Sequence, residues 1–474
     1  MSTIPQDLAG ASDTSVSVRY AAKTKNFRRY TGLYSLAYLG VMLLWGGIIG
    51  IILPLHVQQI EFANFFTGAD TGVNLQQLTA LKAEVAAGTI TPSTDQSRLL
   101  GLLANYETAK ATSLSLVTAI GAVITMLIQP IVGVLSDRTR SRWGRRSPWI
   151  AAGAVGGGAL AALMPSVPNL AVMIVIWSLA QLVVNIAQGP VLTTVADRVP
   201  DNRIGILSAI SGLVAYLAAI ISAVLAGILF NVIGLAAYYP FAIVFALTCL
   251  AFALFSPDKS SRNMSVPPLK WMIFFTSFIA GLRDRDYRWA WISKVILFTG
   301  YGLSTVYAIY MLQSYITPAL SAEAAAATAP LLLLVGAPFA LIAMWIVGRW
   351  SDRIQRRKPF VIAAALIMAF SLLIPFFSPT LPAMFIQSAL TAVGLAVFTV
   401  IDQALFIDVL PDKAFAGRDL GMSALGQNLG QALGPIIAGA VVTLFAGSYG
   451  PVWPAGFVLV ALGAFAVIPI KRAR

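Results

Sequence analysis

Continuous apolar runs of about 20 residues, the length a bilayer-spanning helix needs, recur along the whole chain. They cover residues 33–58, 112–135, 149–165, 170–192, 205–230, 238–256, 289–316, 328–347, 360–377, 382–405, 421–446 and 452–470. The chain is 58% hydrophobic and only 11% charged, about half the charge of a soluble domain. The runs do not alternate in polarity, so they are not strands of a membrane barrel. The expected fold is an all-α polytopic membrane protein with twelve spans. The single cysteine, Cys249, excludes an intrachain disulfide.

Charge fixes the expected orientation. Of 32 lysines and arginines, 28 fall in the N-terminal tail, the C-terminal tail and every second loop. Three (Lys82, Arg98 and Lys110) fall on the other side, and Lys294 lies inside a span. This asymmetry places both termini in the cytoplasm. It also explains the net charge of +13 as topology, so no nucleic-acid partner is implied. The first 30 residues are polar and then basic, and the run after them is too long for a signal peptide.

Two short segments repeat. Gly133–Pro148 reads GVLSDRTRSRWGRRSP, and Gly348–Pro359 reads GRWSDRIQRRKP. Gly133, Asp137 and Arg138 match Gly348, Asp352 and Arg353; Arg145, Arg146 and Pro148 match Arg356, Arg357 and Pro359. A second match relates Asp197-x-x-Pro200-Asp201 to Asp408-x-x-Pro411-Asp412, followed by Arg203 and Arg418. The chain is therefore a duplication. Residues 1–32 form a tail, 33–256 the first half and 289–470 the second, with a linker at 257–288 and an end at 471–474. The 61–110 loop lies outside, where Leu75, Leu78, Leu81 and Val85 share one helical face. In the linker, Leu269–Leu282 reads as a segment along the membrane surface.

The Gly-x-x-x-Asp-Arg element followed by Gly-Arg-Arg resembles the signature of the major facilitator superfamily. The longer QPIVGVLSDRTRSRWGRRSPWI, with Asp402-Gln403 before Asp408, resembles its sucrose-transporter and glycoside-pentoside-hexuronide:cation symporter branches. The resemblance implies two six-helix halves that rock about a central solute site. It also implies a charged latch on the cytoplasmic face, with Asp137 pairing with Arg418 and, by pseudo-symmetry, Asp352 with Arg203. Asp197 and Asp408 would complete the two clusters, together with Arg138, Arg145, Arg146 and Arg353. Gly133 and Gly348 would let helices approach closely. Arg140, Arg142, Arg356 and Lys358 need only set topology.

Polar residues inside the spans mark a candidate solute path, because lipid does not satisfy them. Trp177, Gln181, Asn185 and Gln188 share a face of span four. An indole and three amides suit a sugar, whose C–H face stacks and whose hydroxyls need both donors and acceptors. Gln129 of span two, Tyr307 of span seven and Gln427, Asn428 and Gln431 of span eleven extend the set. The competing reading makes these amides links between helices. Asp402 and the one histidine, His56, are candidates for coupling a proton; Lys294 is expected to snorkel to the inner surface. Proton-coupled sucrose transporters carry buried charges in spans one, four and five, and melibiose-type symporters carry acids in spans two and four; the corresponding apolar runs here hold none of these. A uniporter or exchanger therefore stays open.

The expected function is a secondary transporter of a sugar or glycoside in the cytoplasmic membrane, with a proton as candidate coupling ion. The alternatives are a drug or metabolite exporter of the same fold and a non-transporting sensor. No P-loop, metal cluster or nucleophile–base pair is evident, so an enzyme is not expected, nor a cofactor or metal. The expected partners are a small-molecule solute and the bilayer, with the chain a monomer.

Overall fold

A computed structural model describes residues 20, 24–256, 258–264, 281–354, 356–411 and 416–472. The side chains at 201, 348, 351, 352, 416–418 and 420 are not among those described. Gly348, the Asp352 carboxylate, the Arg418 guanidinium and most of the Leu269–Leu282 segment therefore lie outside it.

The described chain is helical, without strands. A helix covers each apolar run, and the helices below keep the runs' numbers. Span one is Lys25–Gly47, a π turn at Ile48–Ile52, and Leu53–Phe65. Span two is Thr94–Asp137, three is Ser147–Leu163 and four is Leu170–Arg198. Five is Asp201–Ile233 and six is Tyr238–Phe255. Seven is Arg285–Thr305 with Ala308–Ser314, and eight is Ala322–Ile354. Nine is Lys358–Phe377, ten is Leu381–Asp408, eleven is Ala416–Leu444 and twelve is Val452–Phe465. Nine helical stretches among the described residues are long and apolar enough to cross a membrane. One of them, Asn202–Phe255, contains both five and six, which part at Gly234 with φ +56°.

Caps set several of the helix starts. Ser93 and Gln96 form a capping box that starts span two at Thr94, well before the apolar run at 112. Asn169 and Thr380 cap spans four and ten. The Asp284 carboxylate caps span seven by accepting from the N–H groups of Asp286 and Tyr287, both at 3.1 Å. Of the 61–110 segment, the ends belong to the helices of spans one and two, and between them lie a 3-10 turn, Gly68–Gly72, and a short helix, Leu75–Ala86. Its Leu78 packs with Phe66, Leu103 and Tyr106 over the ends of spans one and two.

The duplication is visible in the packing. Within the first half, one packs on five and six, two on four, and three on four and six. Within the second half, seven packs on eleven and twelve, eight on ten, and nine on ten and twelve. Adding six to each number of the first set gives the second. The halves meet where two packs on eleven and five on eight, a pair that the same operation exchanges. Small residues permit the closest approaches. A Cβ on Gly434 would lie 2.7 Å from the Gly302 carbonyl carbon, so spans seven and eleven touch backbone to backbone.

Candidate functional site

The face that carries Asp137, Asp197 and Asp408 is called the basic face below. There the described arginine ion pairs stay within one half. Arg146 is 4% exposed and reaches Asp137 at 2.7 Å. It also bonds the Asp197 carboxylate and the Thr193 hydroxyl. Arg145 reaches Asp197 at 2.5 Å and Asp137 at 3.7 Å. The repeat places the same pair in the other half, where Arg357 lies 3.6 Å from Asp408. The described partners of Asp137 are Arg145 and Arg146; the Arg418 guanidinium that the resemblance implied as its partner lies outside the described side chains. The Asp352–Arg203 pairing falls outside the described side chains. Arg353 is exposed, while Arg138 and Arg203 are half-buried.

Gly133 is expected from the resemblance to let helices approach closely; among the described residues a Cβ there would meet nothing within 4 Å, so no described helix closes on it. The sequence reading also missed Arg198, which is fully buried. It bonds Asp258 at 3.1 Å and the Ser256 carbonyl at 3.0 Å. It ties the end of span four to the chain leaving span six. Its only signal was a charge next to Asp197, which topology already explained.

Span four resolves differently from its expected role. Trp177 is 1% exposed and packs edge-on to Trp45 with centroids 6.1 Å apart. Thr125 of span two donates to Gln181 Oε1 at 3.0 Å. Gln129 donates to Asn185 Oδ1 at 2.9 Å, and Asn185 donates to Thr125 at 3.0 Å. Trp45 donates to Gln188 Oε1 at 2.8 Å. These amides link spans one, two and four, which is the competing reading. By contrast, Gln427 and Asn428 of span eleven are half-buried and Gln431 is exposed. Their side chains take part in none of the described hydrogen bonds.

Two cations that sequence put near water are buried. Lys294 does not snorkel. It is 7% exposed, 2.7 Å from Asp402 Oδ2 and 2.7 Å from the Ser423 hydroxyl it donates to, with its ammonium over the Phe406 ring. It lies about two and a half turns into span seven, too deep to reach water past packed neighbours. Lys110, read as part of an outer loop, is 1% exposed and pairs with Glu107 at 2.8 Å. His56 is 1% exposed, with Nδ1 3.4 Å from the Tyr238 hydroxyl. It belongs to the packed interior of the first half.

At the face opposite the basic one, the halves are sewn together. Gln58 and Gln313 exchange two hydrogen bonds, 2.7 and 3.0 Å. Tyr307 donates to the Ala111 carbonyl at 2.8 Å and bonds Ser115; Tyr310 donates to the Pro54 carbonyl at 2.7 Å. Ser314 donates to Glu107 at 2.8 Å, and Ser115 to the Pro435 carbonyl at 2.6 Å. Tyr307 is therefore part of a closure, not an open lining. Because spans one and two run as helices past their apolar runs, Glu61 and Glu107 are buried acids within them. The expectation that these spans held none was drawn from the apolar runs and missed the extensions. Among the described residues, every hydrogen bond between the halves lies toward this face.

On the fold, the chain is similar to the nucleoside transporter NupG. The TM-score is 0.65 at 12% identity, over 94% of this chain and 100% of that one. It is also similar to the human organic anion transporter MFSD10, with a TM-score of 0.60 at 16% identity over 94% and 100%. A stretch of 39 residues is 54% identical to an uncharacterized symporter of Synechocystis sp., spanning 8% of this chain and 7% of that protein. The family model described as MFS/sugar transport protein matches residues 103–470. With its helical halves, its repeated charge clusters and this match, the chain belongs to the MFS/sugar transport family and is a multi-pass membrane transporter.

Proposed function

We propose that the protein carries a sugar or glycoside across the cytoplasmic membrane by alternating access, with its basic face in the cytoplasm. The described state is then closed to the outside and open inward. The positive-inside asymmetry supports the orientation. The placement of the inter-half hydrogen bonds supports the state, since a rocking transporter joins its halves on one side at a time.

The observation that carries the reading is the set of unbonded amides on span eleven. Gln427, Asn428 and Gln431 offer donors and acceptors together, which neutral hydroxyls require and an apolar drug does not. On the other half, Trp45 is half-buried and gives the apolar face a pyranose ring stacks on. Gln188 of span four holds that indole in place, and Gln181 and Asn185 are engaged with span two, not with the solute.

A proton is the coupling ion in this reading. Asp402 has its charge answered by Lys294, so protonating it would strand an ammonium. The His56 side chain faces Tyr238 within its own half. The partners are the solute and the bilayer, and the monomer is the working unit.

The test is uptake of labelled disaccharides into proteoliposomes, with and without an inward proton gradient. Accumulation with the gradient alone supports sugar–proton symport. Equilibration without accumulation keeps the sugar and removes the proton. No uptake of any sugar overturns the reading.

A further inference from the structure

Spans eight and nine both pack on span ten, and a groove runs between them on the lipid-facing side of the second half. It has two stretches, of about 400 and 470 Å3, each the size of a ligand site. They share Ala363 and Ile367, and together they follow span nine from Pro359 to Ile374. At 1.5 Å per residue that is about 22 Å, against about 15 Å for the hydrocarbon of one leaflet. Ile367, Phe370 and Leu390 of the lining are exposed. The one hydroxyl in the lining, Ser371, is turned away: it bonds Thr391 at 2.8 Å and donates to the Met368 carbonyl at 2.7 Å. The groove therefore offers hydrocarbon contact and no hydrogen bond, which excludes a sugar.

Its mouth opens on the basic face. There Trp350 and Phe360 meet edge-on, with centroids 5.6 Å apart, and both line the groove. Arg353 stands one turn beyond Trp350 on span eight, and Arg356 lies on the loop that leads to Pro359. Arg349 lies over the Trp345 ring, 4.3 Å from its centroid. All three arginines are exposed, and among the described residues none of them is in an ion pair. Arg357 and Lys358 are engaged elsewhere, with Asp408 and the Ile470 carbonyl. Trp345 and Trp350 are exposed as well, as indoles at a membrane–water boundary are.

We infer that this groove binds one anionic phospholipid, with an acyl chain along span nine and the phosphate at Arg349, Arg353 and Arg356. Charge complementarity selects the occupant. Arginine forks match phosphate oxygens, and the apolar trough that starts beside them takes a chain. Only a lipid joins those two chemistries end to end. A zwitterionic lipid brings an ammonium that offsets its phosphate, so the three arginines favour a net negative headgroup. Arg356 then has a use beyond topology, because the headgroup rests on the second copy of the repeated basic segment. Naming the leaflet as cytoplasmic rests on the orientation proposed above; the site itself does not.

The test titrates the full chain, delipidated in detergent, with dioleoyl phosphatidylglycerol or dioleoyl phosphatidylcholine, and native mass spectrometry reads the first bound lipid. The parent should bind phosphatidylglycerol more tightly. Changing Arg349, Arg353 and Arg356 to Gln should weaken it by about fivefold per arginine and leave phosphatidylcholine unchanged. Ile367→Trp, which fills the groove, should weaken both lipids. Changing Lys25, Arg28 and Arg29 to Gln removes three exposed charges from the start of span one and should leave the preference intact. Equal affinity of the parent for the two lipids overturns the inference, as does unchanged binding in Ile367→Trp. So does an equal loss in the span-one variant, which would show general surface charge, or displacement of the lipid by glycerol phosphate, which would show a phosphate site without a chain. The readout needs no sugar and no transport, so its failure is distinguishable from failure of the substrate or orientation assignment.

Discussion

Lys294 Nζ and Asp402 Oδ2 lie 2.7 Å apart, joining spans seven and ten inside the second half. Both side chains are under a tenth exposed. Removing one partner leaves the other as a bare buried charge, which costs about 3–5 kcal/mol, whereas replacing both with apolar groups is close to neutral. Asp402→Asn should lower the melting temperature in detergent, and Lys294→Met with Asp402→Leu should restore it. Equal melting of all forms would show that the pair carries no stability.

The closure on the face away from the basic loops predicts a shift in state. Gln58→Ala removes both hydrogen bonds to Gln313. At about 0.5–1.5 kcal/mol each, their loss should move the equilibrium toward opening on that face by about 5- to 150-fold. Labelling of an engineered cysteine near Ser115 by a membrane-impermeant reagent would measure it. No gain in labelling would mean that apolar packing alone holds the closure.

The basic-face cluster predicts a separation of transport from folding. Asp137 is half exposed while Arg146 is buried, so Asp137→Asn leaves Arg146 its bonds to Asp197 and Thr193. Insertion and yield should stay near the parent's, and transport should fall several-fold as one state loses a partner. Full transport in a well-expressed variant would remove Asp137 from the rocking motion.

The two polar helix faces predict opposite phenotypes. Trp177→Ala should destabilise by about 3–5 kcal/mol, as large-to-small changes in a packed core do. Gln427→Ala and Asn428→Ala should leave stability within about 0.5 kcal/mol and weaken sugar affinity. Thermal melts and binding titrations on the same samples would show it. Weak binding in Trp177→Ala with unchanged melting would reverse the assignment.

Span four shows why part of the site was illegible in the sequence. Its Trp and amides sit at helical spacing, so their common face was evident, but not whether that face meets solute or span two. Hydrogen bonds to Thr125 and Gln129 decide it, and these come from residues 56–60 positions away. The span-eleven amides, at the same kind of spacing, meet no such partner. Glu61, Glu107 and Lys110 were missed because helices extend past the apolar runs. Where a run ends is a statement about lipid, while where a helix ends is set by caps such as Ser93.

The sequence by itself determined the membrane class, the duplication and the charge asymmetry. Each is a property of composition and spacing: runs long enough to span, motifs at fixed offsets, and 28 of the 32 lysines and arginines on one side. It also marked Asp137, Arg145, Arg146, Asp197 and Asp408 as charged residues of the basic face. Only the tertiary structure decided their described partners, Arg145 and Arg146 with Asp137 and Asp197, and Arg357 with Asp408. The packing of the halves also buried Lys110 and Glu107 against Tyr310 and Ser314, and left three amides of span eleven outside the described hydrogen bonds. Sequence patterns register which residues share a face of one helix. Which face meets protein, lipid or open space follows from how the helices pack against one another.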